Sequence, residues 1–214
     1  DSPQAREPAA LRFREAVEAM LPADGGPREA ALDAGGRFLD GLDADSDVTV
    51  ATVSLNRDEA LADPNAPVRI NGVPGAPDDH AEVVVLDAAA LPAQTPVRAD
   101  GVDMMVVQGS ARLRDGAGAS VIVGDDTPNN VFNGPGDDVQ IGGAGPDRLA
   151  SGKGRDRMDG GAGADTLTGG SGDDTLAGGP GNDRVDGEAG ADTVSGGSGA
   201  DTLFGRGGDD TLNG

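Results

Sequence analysis

The sequence has no cysteine, no tryptophan and no tyrosine, a single histidine (His80), and four phenylalanines, Phe13, Phe38, Phe132 and Phe204. Without thiols no disulfide can staple the chain. Zinc and copper sites, which draw on Cys and His, have no ligand set to use. No run of 18 apolar residues occurs, so no segment reads as a membrane-spanning helix. Bases are scarce as well: 16 Lys and Arg stand against 38 Asp and Glu, a net charge of −22. That balance opposes nucleic acid and anionic membrane surfaces as partners and favours cations. Polar, glycine-rich, highly charged chains often fail to bury a core. Order therefore has to come from periodicity, with metal as the staple. No signal peptide is visible, the chain begins at Asp1 rather than Met, and it stops at Gly214 in mid-pattern, so it reads as a fragment or a processed product.

The first 47 residues read as two helical pieces. In one, Pro8 is placed as a first-turn proline, with Leu11, Phe13, Val17, Met20 and Leu21 as an apolar stripe. Pro22 and Gly25-Gly26 end it. The other starts near Pro27 and runs toward Leu42, weakened by Gly35-Gly36. Residues 48–55 and 82–87 read as strands, with Pro64, Pro67, Pro74 and Pro77 marking turns between them. Residues 1–96 are thus expected to be a small mixed α/β region.

From residue 133 a period of nine takes over. The units are NGPGDDVQI, GGAGPDRLA, SGKGRDRMD, GGAGADTLT, GGSGDDTLA, GGPGNDRVD, GEAGADTVS, GGSGADTLF and GRGGDDTLN. The fourth place is Gly and the sixth is Asp in all nine units. The eighth is apolar in eight of them: Leu149, Met158, Leu167, Leu176, Val185, Val194, Leu203 and Leu212, with Gln140 the exception. Stepping back by nines from Gln140 lands on Val131, Ile122, Leu113 and Met104. The solenoid is therefore expected to start near residue 97. Residues 97–132 would form degenerate, metal-free first coils, because Asn129 and Ser120 stand where Asp belongs.

The pattern G-G-x-G-x-D-x-(apolar)-x resembles the RTX nonapeptide family, the glycine- and aspartate-rich repeats of bacterial secreted toxins, proteases and lipases. The resemblance covers residues 133–213 closely and 124–132 loosely. It implies a right-handed parallel β-roll over 133–214, export from a Gram-negative cell, and an extracellular or cell-surface location. The chemistry of the repeat points the same way. Glycines permit φ > 0 and leave no Cβ between backbone carbonyls and a central ion. The last three places of a unit form a short strand with the eighth side chain inward. Two units make an 18-residue coil, so odd units stack on odd and even on even, about 4.8 Å apart. One column of carboxylates is then Asp138, Asp156, Asp174, Asp192 and Asp210, and the other is Asp147, Asp165, Asp183 and Asp201. Like charges at that spacing repel by about 1 kcal/mol per pair in water and by more in a dry site. A cation is required, and several Ca²⁺ ions, each taking six to eight oxygens at about 2.3–2.6 Å, fit better than octahedral Mg²⁺.

The expected ligands are these nine aspartates and the carbonyls of second- and fourth-place glycines: Gly143, Gly145, Gly152, Gly154, Gly161, Gly163, Gly170, Gly172, Gly179, Gly181, Gly190, Gly197 and Gly199. An interior Asp is expected to offer one oxygen to the ion on either side. Glu188 and Arg206 replace the second glycine, and sites near them are expected to be weaker; the direction of Arg206 and a ligand role for Glu188 both stay open. At Gln140 either the strand slips by one or the residue sits at a loosely packed end.

Other signals fall short. Asp43, Asp45 and Asp47 imitate an EF-hand loop, but Val48 and Ser54 stand where its glycine and bidentate Glu are required. There is no H-E-x-x-H, and Ser171 and Ser198 lack the second glycine of G-x-S-x-G. The chain is therefore expected not to be an enzyme. Two functions remain: a calcium-folded structural scaffold of a surface layer, adhesin or appendage, or the secretion and folding module of a larger RTX enzyme or toxin. The open C-terminal end, with Leu212 exposed, is expected to fray, to pair with other protein subunits, or to continue into further sequence.

Overall fold

The computed structural model describes residues 3–21, 26–42, 47–54, 68–71, 80–89, 91 and 95–214. Two helices come first, α1 (Pro3–Met20) and α2 (Gly26–Gly41). The strands follow: β1 (Asp47–Ser54), β2 (Val68–Asn71), β3 (His80–Asp87), β4 (Thr95–Asp100), β5 (Met104–Gln108), β6 (Ala111–Arg114), β7 (Val121–Val123), β8 (Asn130–Phe132) and β9 (Val139–Ala144). They continue as β10 (Arg148–Ala150), β11 (Arg157–Ala162), β12 (Thr166–Ser171), β13 (Thr175–Pro180), β14 (Arg184–Ala189), β15 (Thr193–Ser198), β16 (Thr202–Gly207) and β17 (Thr211–Asn213). Odd strands form one nine-stranded sheet and even strands an eight-stranded one, each in sequence order. Every pairing is parallel, so the chain winds as a two-sided β-solenoid.

The winding begins earlier than residue 97: β1 already pairs with β3, and β2 with β4. The early coils differ in length. Asp47 faces His80, Val68 faces Val97, Val83 faces Met104 and Met104 faces Val121, steps of 33, 29, 21 and 17 residues. From Arg112↔Asn130 and Val121↔Val139 onward the step is 18. The 17-residue step shifts the phase by one. Met105, not Met104, therefore stacks on Ile122 inside the solenoid, and Met104 is buried on the outer side of its strand, beneath the helices.

The interior column is Ile122, Gln140, Met158, Leu176 and Val194 from the odd sheet, facing Leu113, Val131, Leu149, Leu167 and Val185 from the even one, all buried. Each such apolar side chain contributes roughly 1.5–3 kcal/mol. Gln140 pairs in register with Ile122 and Met158, so neither a strand slip nor a loose end accounts for it. Its Nε2 donates to Ala150 O at 3.1 Å, and its Oε1 is buried without a partner.

The helices lie on the outer face of the odd sheet. Phe13, Val17, Leu21, Ala31, Ala34 and Leu39 pack onto Val83, Val85, Met104, Val106 and Val123. Leu11 is 56% exposed and stands outside the expected stripe. The helix begins at Pro3, which takes the first-turn role expected of Pro8. Gly35 belongs in α2 because a Cβ there would collide with the Phe13 ring, so the glycine lets the helices meet. The four prolines marking turns lie outside the described residues, as do Asp43 and Asp45. Among the described residues no helix is long and apolar enough to cross a membrane.

Gln140→Leu keeps the volume and removes the unpartnered carbonyl. It should stabilise the calcium-loaded chain by about 1 kcal/mol, read as a higher denaturant midpoint. A lower midpoint would show that the Gln140–Ala150 bond outweighs the buried orphan.

Candidate metal centre

The turns joining the two sheets are where the repeat concentrates its glycine. The fourth-place residues, from Gly136 to Gly208, all have positive φ. At the second place Glu188 and Arg206 hold φ of 72° and 73°, the left-handed conformation that Gly143, Gly161, Gly170, Gly179 and Gly197 adopt freely. These two residues neighbour each other in register. Arg206 does point outward: it is half exposed, bonds Asp186 through Nε and Nη2, and lies over Phe204 at 5.5 Å. Glu188 is exposed beside it.

The sixth-place aspartates form the two columns expected. Asp138, Asp147, Asp156, Asp165, Asp174, Asp183 and Asp192 are at most 3% exposed; Asp201 and Asp210, on the last coil, are half-buried. In each column the Oδ1 of one Asp accepts the backbone N–H of the Asp 18 residues earlier. Asp156 N–H donates to Asp174 at 2.8 Å, Asp174 N–H to Asp192 at 2.9 Å and Asp192 N–H to Asp210 at 3.0 Å. Asp147, Asp165 and Asp183 do the same in the other column. One oxygen of each interior Asp thus accepts a backbone N–H.

The other oxygen is left over. Oδ2 of all seven fully buried aspartates has no hydrogen-bond partner. The first-place glycines show where it faces. The point at which a Cβ of Gly160 would stand is 2.6 Å from Asp165 Oδ2 and 2.7 Å from the Gly178 carbonyl oxygen. At Gly178 the corresponding distances are 2.5 Å to Asp183 Oδ2 and 2.7 Å to Gly196 O. The same pairing recurs at Gly142 with Asp147 and Gly160 O, and at Gly169 with Asp174 and Gly187 O. A carboxylate oxygen of one coil and a carbonyl of the next thus converge beside each of these glycines, forming a cradle of oxygen donors in which nothing balances the carboxylate's charge. Among the described residues no three Asp, Glu, His or Cys side chains cluster as a metal site. All-oxygen donors and uncompensated buried charge fit a hard cation.

The first-place carbonyls of Gly160, Gly178, Gly187 and Gly196 were missed by sequence reasoning, although glycine fills that place in seven of the nine units. The expected second- and fourth-place carbonyls stack along the roll: those of Gly143, Gly145, Gly152, Gly154, Gly161, Gly163, Gly172, Gly179, Gly181 and Gly190 each lie where a Cβ on the same place of the next coil would clash. Some are committed to backbone, since Gly152 O accepts from Ser171 N–H. Ser171 and Ser198 are exposed and end β12 and β15.

Burial pushes the column carboxyls up, Asp147 to about 7 and Asp165 and Asp174 to about 6. The N–H bond to Oδ1 opposes the shift, and neighbouring carboxylates add to it: Asp165 beside Asp147, and Asp156 and Asp192 beside Asp174. Asp138, Asp156, Asp183 and Asp192 are raised for the same first cause.

The columns end in donors. Asn129 N–H donates to Asp147 Oδ1 at 2.7 Å, while its Nδ2 donates to Thr127 O at 2.8 Å and lies 2.8 Å from the Gly124 cradle, where an aspartate would place Oδ2. Ser120 donates through N and Oγ to Asp138 Oδ1.

A family described as the RTX calcium-binding nonapeptide repeat (4 copies) matches residues 132–167, 141–176, 159–194, 168–203 and 187–214. No curated protein and no solved structure matches the chain.

Two outcomes follow from this geometry. A carboxyl whose folded pKa is raised favours folding below its unfolded value, near 4, and loses that stability as pH rises toward 6–7. With chelator present, β-structure measured by circular dichroism should therefore increase as pH falls from 8 to about 4; a flat profile would contradict burial of the columns. Asn129→Asp replaces the amide donor with a carboxylate at the Gly124 cradle and should raise bound calcium by one ion per chain in equilibrium dialysis. Unchanged stoichiometry would show that the column ends there for another reason.

Proposed function

Given that residues 132–214 carry RTX calcium-binding nonapeptide repeats, we propose that the chain is a secreted, calcium-folded structural scaffold of a bacterial surface assembly, without catalytic activity of its own. The observation that carries this reading is the row of seven buried, unpartnered Asp Oδ2 atoms, four of which, on Asp147, Asp165, Asp174 and Asp183, stand opposite a carbonyl of the next coil. Calcium would be held by Asp138, Asp147, Asp156, Asp165, Asp174, Asp183, Asp192 and, at the last coil, Asp201 and Asp210, together with turn carbonyls. The bound ion supplies the positive charge that neutralises the stacked carboxylates; the chain supplies the oxygens and the spacing. A surface layer, adhesin or appendage suits a module whose folding waits for extracellular calcium. Export from a Gram-negative cell follows from the same logic, because a column that folds only with calcium stays unfolded where calcium is scarce. The second reading, a secretion and folding module of a larger enzyme or toxin, rests on the same cradles, and a hydrolytic activity of the parent protein would favour it.

A calcium titration tests the central claim. Residues 133–214 should gain β-structure with a midpoint of about 10⁻⁴–10⁻³ M, and magnesium should not substitute. Circular dichroism that is unchanged across the titration, or equal folding with both ions, would reduce the columns to a screening effect. Within a column, position matters. Asp174 holds an Asp156 N–H and has coils on both sides, whereas Asp210 stands on the last one. Solenoid stability is roughly a sum over units and nearest-neighbour interfaces, so a central break disturbs two interfaces and a terminal break one. Asp174→Ala should raise the calcium midpoint and lower the cooperativity more than Asp210→Ala. Identical titrations would show independent sites.

A further inference from the structure

We propose that the outer face of the even sheet, where β2, β4 and β6 bring Arg69, Arg98 and Arg114 into one register row beside Arg112, binds a linear polyuronate, an acidic polysaccharide with one carboxylate per sugar. The row is set by backbone pairing: Arg69 faces Arg98, Arg98 faces Arg114, and Arg114 faces Phe132. All four guanidinium-bearing residues are exposed, and Arg148 on β10 continues the face. Five of the 16 basic residues of a chain with net charge −22 thus lie on one side of one sheet. Asp100 offsets them in part, accepting from Nε of Arg98 at 2.8 Å and lying near Arg69.

One end of the row is also held in place. Arg112 and Arg114 both lie over the Phe132 ring, at 5.8 and 5.3 Å from its centroid. Cation–π contact of this kind fixes guanidinia that would otherwise sweep freely, and preorganisation favours binding. Neighbouring strands are about 4.8 Å apart, a repeat comparable to the length of one sugar in an extended chain. Each guanidinium fork matches a carboxylate in two-point geometry. A thin linear chain can follow the arginines alone. A flat anionic membrane or a nucleic-acid duplex would extend over the rims of the sheet, where Asp115 and the aspartate-rich turns repel it. The face uses none of the calcium cradles, so its failure and theirs are separable.

The test is binding of short oligogalacturonates to the full chain at fixed millimolar calcium, with circular dichroism confirming the fold of each variant. The wild-type chain should bind, with affinity falling as salt rises, and should ignore neutral dextran of the same length. Arg69→Gln/Arg98→Gln/Arg114→Gln should weaken binding at least tenfold. Lys153→Gln/Arg155→Gln/Arg157→Gln removes the same charge elsewhere and should change it less than twofold. A triple Arg→Lys variant of the row keeps charge without the fork and should fall between. No binding by the wild type, equal losses in the two Gln variants, or retention by the Arg69/Arg98/Arg114 variant through calcium bridging to the acidic turns would each overturn the proposal. So would a preference for anionic vesicles or duplex DNA over the oligogalacturonate.

Discussion

The rest of the roll depends on the repulsion between carboxylates stacked at strand spacing. An 18-residue coil returns the chain to the same angular position, so an Asp at each sixth place puts like charges about 4.8 Å apart along a buried column. The backbone relieves part of this by giving each Oδ1 an N–H from the preceding coil, and the rest remains as unpartnered Oδ2 atoms. Burial without neutralisation forces the carboxyls toward the protonated state. A proton satisfies one oxygen, whereas a divalent cation satisfies the Oδ2 and the opposing carbonyl together. Calcium is thus the more complete answer to an arrangement that the repeat itself creates.

The glycines follow from the same constraint, place by place. At the fourth place the backbone is left-handed, which brings the chain round in a tight turn. At the first place the conformation is unexceptional, and what matters is the missing Cβ: the carboxylate oxygen and the next coil's carbonyl occupy the space it would need. At the second place a Cβ also meets the carbonyl of the coil before, yet Glu188 and Arg206 stand there next to each other in register. Their side chains project to solvent, and the cost is a left-handed backbone, of order 1–3 kcal/mol each. A side chain at the first place of those units would enter the cradle itself.

The repeat was legible because its chemistry is strictly periodic. The two Asp columns, the inward eighth-place residues and the pairing of odd with odd units all follow from counting by nine. The start of the solenoid was not, because coils before Arg112 have unequal lengths and no fixed period marks them. The exchange of Met104 for Met105 has the same origin: a single 17-residue step inverts which side of the strand is inward, and both residues are apolar, so composition gives no warning. First-place carbonyls escaped notice since their role lies in the space a side chain would fill, which no residue identity announces. Gln140 shows the converse. A polar residue at an apolar place suggested a break in the winding, yet the backbone keeps register and one hydrogen bond to Ala150 satisfies half of the amide.

The two ends of a column pose different physical problems. A stack of cation cradles presents carboxylate acceptors at its N-terminal side, and the last acceptor needs a partner that is not another aspartate. Asn129 and Ser120 meet this need in the two columns, each standing at the sixth place and donating its backbone N–H to the first Asp. Asn129 goes further, since its amide Nδ2 occupies the carboxylate's side of the Gly124 cradle and bonds Thr127 O, a donor where the following coils have an acceptor. The column of carboxylates therefore ends where one atom changes from acceptor to donor. Beyond it the interior is continuous, Leu113 and Val131 stacking on Leu149 without interruption. Coils before the columns gain their order from that core and from the helices over Val83, Val85 and Met104. They supply a folded edge on which calcium can add one coil after another.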